Sequence, residues 1–286
     1  MDLKENNNMR IGIHTDNYRL ENRSAEYCFD SIARIGAKFT ELNMMQGFDL
    51  FQGHGFSPNI SMYEDPLEIR QMLEKRGLTV SCLDAHYPLW SYRCIEHMRM
   101  AILFADQMGV DAIATTDSDE LPKGISEEEA FTIIKYHLGE VLKFADRHKI
   151  AVCLEPHGQL TNHPEKMLRL VSSHQSEYLR INFDTGNTFM RGWQPQEFLQ
   201  QVIDKVHHCH VKDVAPELAS ERRGEETGIA SSEVSVGEGV NAENIIACLK
   251  VFKKHGFEGV LCVECGGEAR SEVSFKWLSK QVAALE

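Results

Sequence analysis

The chain has 286 residues, 42% hydrophobic and 26% charged, with 30 Lys and Arg against 43 Asp and Glu, a formal net charge of −13. That apolar share excludes global disorder, and the acidic excess argues against nucleic acid, whose phosphates are held by Lys and Arg. No run approaches the ~18 apolar residues of a membrane span. Residues 1–8, MDLKENNN, read as a polar N-terminal extension lacking the apolar centre of a signal peptide. The eight cysteines are scattered along the chain and read as reduced, buried thiols. The expectation is a cytoplasmic protein with one domain over 9–286.

From Met9 onward, short β-rich runs alternate with amphipathic helical stretches, the pattern of βα units around a parallel sheet. The first strand is MRIGIHTD (9–16), followed by a helix over about 24–37. FTELNM starts at Phe39, and a helix near 65–76 ends at Gly77. LTVSCLDAH, from Leu78, precedes a helix over about 92–108, and VDAIATTD, from Val110, precedes one starting near Ser126, with Glu127–Glu129 complementing its dipole. The second half repeats the rhythm. IAVCLEPHG (150–158), LRINFDTGN (179–187), VHHCHVKDV (206–214) and GVLCVECGG (259–267) precede helices at about 164–175, 195–205, 242–255 and 272–285. Eight units use up the chain, which predicts a (β/α)8 TIM barrel. A doubly wound sheet would want a Gly-rich phosphate turn after an early strand, and IGIHTDN is not one. Two long loops, 45–64 and 215–240, follow strands and so fall on the C-terminal face, where barrel active sites lie.

The late strands each stop at a group able to ligate a metal: Glu155, Asp184, His210 and Glu264. Strands buried on both faces are apolar throughout, so three acids and a histidine at four successive ends need a reason. Three carboxylates and an imidazole suit one divalent cation, Mn²⁺ first, with Mg²⁺, Co²⁺ or Zn²⁺ as alternatives. Earlier strand ends add His14 and His86, while Glu41 lies within strand two. His157 shares parity with Glu155, and Lys212 with His210. Trp90, a few residues beyond strand three, is placed to floor a sugar site by stacking.

LEPH, FDTGN, HVKD and VE at these strand ends resemble the xylose isomerase-like sugar phosphate isomerase/epimerase superfamily, which includes ketose 3-epimerases, hydroxypyruvate isomerases and inosose dehydratases. The resemblance spans nearly the whole chain. It implies that Glu155, Asp184, His210 and Glu264 hold the metal and that Glu155 and Glu264 also serve as acid and base. The expected activity is metal-dependent isomerisation or epimerisation of a sugar or related hydroxy-carbonyl compound through an enediolate that the cation stabilises. The alternative is a lyase that expels a β-substituent from the same enediolate, as in keto-polyol dehydration or β-elimination from a keto-glycoside. An endonuclease IV-type nuclease shares the fold but needs three metals and a basic groove. Asn187 departs from the epimerase pattern, which often has His there; an amide can hydrogen-bond a hydroxyl but carries no charge. The substrate-contacting set is thus His14, His86, His157, Asn187, Lys212 and Trp90. The resemblance also implies a homo-oligomer, dimer or tetramer.

Overall fold

A computed structural model describes residues 9–285 apart from 20, 22, 46–58, 118–120 and 231–232. Nine strands are present among these residues: β1 (Arg10–His14), β2 (Phe39–Met45), β3 (Ile60–Ser61), β4 (Thr79–Asp84), β5 (Ala112–Thr115), β6 (Ala151–Leu154), β7 (Leu179–Asp184), β8 (Val206–Val211) and β9 (Val260–Val263). All pairings are parallel, and the β1–β2 pairing closes β1, β2 and β4–β9 into an eight-stranded barrel. The two-residue β3 extends the end of β2 at Met44 and Met45.

Helices α1 (Ala25–Ile35), α2 (Pro66–Glu74), α3 (Cys94–Met108), α4 (Glu127–His148), α5 (Pro164–Val171), α6 (Thr185–Met190), α7 (Pro195–Val202), α8 (Pro216–Arg222), α9 (Ala242–Lys254) and α10 (Glu268–Ala283) connect and surround the strands. Their ends follow local chemistry. Ser126 and Glu129 form a reciprocal capping box at the start of α4. Asp65 caps α2, whose first residue is Pro66. No helix among the described residues is long and apolar enough to cross a membrane.

The period of two along each strand divides the core. One parity, including Ile13, Leu42, Leu83, Ile113, Val152, Phe183, Cys209 and Leu261, belongs to the large apolar cluster packed beneath the helices. The other parity faces into the barrel. There Cys82, Ala112, Ala114, Ala151 and Cys153 form a separate cluster of small side chains. Small residues on β4–β6 leave room for longer polar side chains arriving from β2, β7 and β8.

Boundaries differ from the sequence reading in several places: the runs expected to end at 158, 214 and 267 stop as strands at Leu154, Val211 and Val263, and the helix expected to 175 ends at Val171. The strand expected to reach Asn187 stops at Asp184, because the Asp184 carboxylate accepts the Asn187 N–H and starts α6. The loop expected over 215–240 contains α8, which begins at Pro216. The last helix starts four residues earlier than expected, at Glu268, whose N–H donates to Glu21. Most of the expected 45–64 loop lies outside the described residues.

Candidate metal and catalytic site

The parallel register carries the inward parity of each strand to one end. Asp184 pairs with His210 across β7 and β8, and His210 with Cys262 across β8 and β9. Glu155 and Glu264 lie one residue past β6 and β9, their N–H groups still bonded to Thr115 O and Val211 O. These last ladder bonds fix where both glutamates project.

The outcome is a tight cluster. Ligating atoms of Glu155, Asp184, His210 and Glu264 all lie within 4.8 Å of one another. His210 Nδ1 is 3.1 Å from Glu155 Oε2, 3.2 Å from Glu264 Oε2 and 4.0 Å from Asp184 Oδ2. Asp184 Oδ2 and Glu264 Oε2 are buried and complete no hydrogen bond. Three carboxylates converging on one imidazole and one ammonium, that of Lys212, leave buried negative charge that is costly unless a further cation compensates it. An oxygen-rich set with one imidazole matches a hard to borderline divalent ion. The residues therefore fit the metal that the strand-end pattern implies.

Lys212 projects into the same cluster, its Nζ 2.6 Å from Glu264 Oε1 and 3.1 Å from Asp184 Oδ2. Burial pushes Asp184 up to about 7, with Glu264 and Glu155 adding to the rise and Lys212 opposing it. Glu155 moves the other way: burial would raise it, but His210 and His86 hold its carboxyl well below the usual range. His86 Nε2 is 3.1 Å from Glu155 Oε2 and 3.2 Å from Asp84 Oδ1. Against the cost of burial, those two carboxylates raise His86 to about 9.

The remaining sequence candidates separate. His14 lines the site cavity; its Nδ1 accepts the Asp16 N–H, and its Nε2 is 3.2 Å from Asp84 Oδ2. His157 also lines the cavity, its ring centroid 5.4 Å from that of His86. Asn187 is fully buried and faces protein. Its Nδ2 donates to Glu155 Oε1 at 3.0 Å, while its Oδ1 accepts the Ala230 N–H at 2.9 Å. Trp90 packs against the apolar core and is not among the described residues lining the cavity. Sequence reasoning passed over Asp84, Asn182 and Arg19. Asp84 and Asn182 carry the inward parity of β4 and β7, which was the available signal; Arg19 lines the cavity from just beyond β1 and had none.

The cavity over the cluster is small, about 80 Å³, walled on one side by Ile229 and Ala230 from the long loop after β8. A larger cavity of about 610 Å³ opens at the opposite end of the barrel, beside Arg10, Phe39 and Gly259. Barrel chemistry belongs to the C-terminal end of the strands, where the smaller cavity lies.

A family model for the xylose isomerase-like TIM barrel matches residues 29–281. The chain belongs to this family. Within it, the chain is 25% identical over 144 residues to an inosose dehydratase of Clostridium botulinum, covering 48% of this chain. That alignment takes in 47% of the relative, so the chain spans about half of that protein's length. A second inosose dehydratase, from Bacillus licheniformis, is 22% identical over 258 residues, 82% of this chain and 84% of that one. Among solved structures, a D-tagatose 3-epimerase-like protein superposes with a TM-score of 0.73 at 20% identity, covering 97% of this chain and 98% of that one. A probable 3-DHS dehydratase from Bacillus anthracis gives 0.72 at 18% identity, with 95% and 99% covered. The structural likenesses establish the shared fold.

Proposed function

We propose that this xylose isomerase-like barrel is a divalent-metal-dependent enzyme acting on a small polyhydroxy ketone, and that its outcome is loss of water. The observation carrying the reading is the pair Glu155 and Glu264, which meet His210 Nδ1 at 3.1 and 3.2 Å, each with a proton-bearing partner of its own. Those partners are His86 beside Glu155 and Lys212 beside Glu264. Glu155, Asp184, His210 and Glu264 would hold the cation, with Mn²⁺ the first choice. When bound, it supplies Lewis-acid stabilisation of negative charge on the substrate oxygens.

The side chains divide the proton work. Glu264, with 14% of its side chain exposed, is the most accessible of the four and takes the proton from the carbon beside the carbonyl. Lys212 keeps that carboxylate oriented through its 2.6 Å contact. Glu155 is fixed by Asn182 Nδ2 at 3.2 Å and Asn187 Nδ2 at 3.0 Å, leaving His86 as the donor beside it. As the C–O bond breaks, the departing hydroxide takes a proton from His86 and leaves as water. The four ends thus combine base, orienting cation and acid in one cavity. The dehydratase names of the curated relatives support this order of preference.

The epimerase reading uses the same proton abstraction, with Glu155 returning a proton on the opposite face. The near-equal approach of both glutamates to His210 favours it as the second choice. One experiment separates the two: incubate the Mn²⁺-supplemented protein in deuterated water with an inosose and, separately, with ketohexoses. Appearance of an unsaturated ketone with release of water is expected. Inverted ketose carrying solvent deuterium, with no unsaturated product, would transfer the assignment to epimerisation; no turnover of either class would reject both.

A further inference from the structure

Glu41 has no part in the proton work just described, yet its side chain is completely buried inside the barrel. Three imidazoles surround it. His210 Nε2 is 2.7 Å from Glu41 Oε2, while His14 Nε2 and His208 Nδ1 both stand 3.8 Å from that oxygen. An isolated carboxylate in such a place costs several kcal/mol or more unless it is paired and hydrogen-bonded. The 2.7 Å contact is short for N–H···O and has the length of a charge-assisted bond. A carboxylate only accepts, so the shared proton belongs to His210 Nε2. Asn182 Nδ2 lies 3.3 Å from His210 Nδ1 and 3.1 Å from Nε2, so it does not choose between them.

We infer that Glu41 is a positioning residue for the metal centre: it holds the Nε2 proton of His210, so that Nδ1 is the nitrogen offered to the cation beside Glu155 and Glu264. This rests on the metal-site reading above. The arrangement is a carboxylate–histidine–metal relay, in which the outer carboxylate fixes both the tautomer and the plane of the ring. The rest of the geometry agrees. Nδ1 faces three ligand carboxylates within 4.0 Å, whereas Nε2 faces Glu41. His208, one inward position below on β8, has both ring nitrogens engaged, by Ser81 Oγ at 3.1 Å and Asn182 Oδ1 at 3.0 Å. Glu41 is therefore left to His210 as its nearest partner.

Glu41, Cys82 and His208 also bring three donor atoms within 4.8 Å of one another. An ion seated there would draw Glu41 away from His210, so the test must detect it. Calorimetric titration of Zn²⁺ into the wild-type protein and Glu41→Gln, combined with imidazole ¹⁵N–¹H spectra of the Zn²⁺-loaded wild type, makes the comparison. One equivalent should bind the wild type, with His210 protonated at Nε2 and ligated at Nδ1, and Glu41→Gln should bind about 10–100-fold more weakly. Ligation through Nε2, or unchanged affinity in Glu41→Gln, overturns the role given to Glu41. So does a second equivalent whose Co²⁺ form shows a thiolate charge-transfer band that Cys82→Ser abolishes. Failure of Zn²⁺ to bind the wild type would instead sink the metal centre itself. If Glu41→Gln does not fold, the wild-type spectrum decides alone.

Discussion

Replacing Glu264 with Gln is expected to lower turnover of the responsive ketose by about 10³-fold while leaving the barrel folded. The magnitude is that of removing a positioned acid or base, about 10²–10⁴-fold. Gln keeps the shape and one oxygen acceptor for Lys212, but an amide cannot take the substrate proton. The fold should tolerate the change because Glu264 sits at the barrel rim, and its backbone N–H bond to Val211 O is independent of the side chain. Glu155→Gln should lose as much activity and cost stability as well. Glu155 accepts N–H groups from both Asn182 and Asn187, and the new amide nitrogen would face one of them donor to donor. Steady-state kinetics and thermal unfolding of the two variants check the contrast. A Glu264→Gln protein retaining more than a tenth of wild-type turnover would remove Glu264 from the proton transfer.

Asp213→Ala should give the largest loss of stability at a position that touches no ligand residue's side chain, about 3–5 kcal/mol. Asp213 is buried just beyond β8, and its carboxylate accepts four backbone N–H groups: Val214 and Asn241 on Oδ1, Gly237 and Gly239 on Oδ2, all at 2.8–3.0 Å. One side chain thus organises the whole entry to α9. The segment has little freedom to find other partners. Gly237 has φ +96°, and a Cβ there would lie 2.4 Å from the Trp277 ring. A Cβ on Gly239 would lie 2.4 Å from Asp213 itself. Each buried donor left unmet costs about 1–3 kcal/mol, reduced in sum by whatever water reaches the segment. Urea unfolding measures the loss directly. A change below about 1 kcal/mol would show that the segment holds without its carboxylate.

How far the sequence reveals this molecule depends on the distance over which each feature is specified. The eight barrel strands are legible because alternate apolar residues such as Ile181, Phe183, Cys209 and Val211 mark the outward parity locally. The convergence of the candidate ligands is legible for the same reason: Asp184 and His210 sit on the opposite parity, where a strand buried on both faces would otherwise be apolar. Asn187 shows where this reasoning stops. Its residue type suits a substrate hydroxyl, but its partners are Glu155, thirty-two residues earlier, and Ala230, forty-three later. The 215–240 loop carries the same lesson. Its length and place after a strand are legible, but not its partners: Asn162 donates to the Thr227 carbonyl, and Arg223 to the carbonyls of Phe189 and Gly192. Glu41 could be seen as an oddity within a strand; its meaning needed His210 beside it, 169 residues away.

The claim at the centre of this account is that Glu155, Asp184, His210 and Glu264 form one divalent-cation site. Calorimetric titration of chelator-treated protein with Mn²⁺, alongside Asp184→Ala, tests it most directly. Asp184 is the probe because its Oδ2 is buried among the candidate ligand groups, and thermal unfolding of the variant separates the lost ligand from the loss of the Lys212 ion pair at 3.1 Å and of the α6 cap. The expected result is one Mn²⁺ per chain in the wild type and binding weakened by at least 100-fold in Asp184→Ala. Wild-type protein that takes up no Mn²⁺, or Asp184→Ala that binds it equally well, would contradict the assignment.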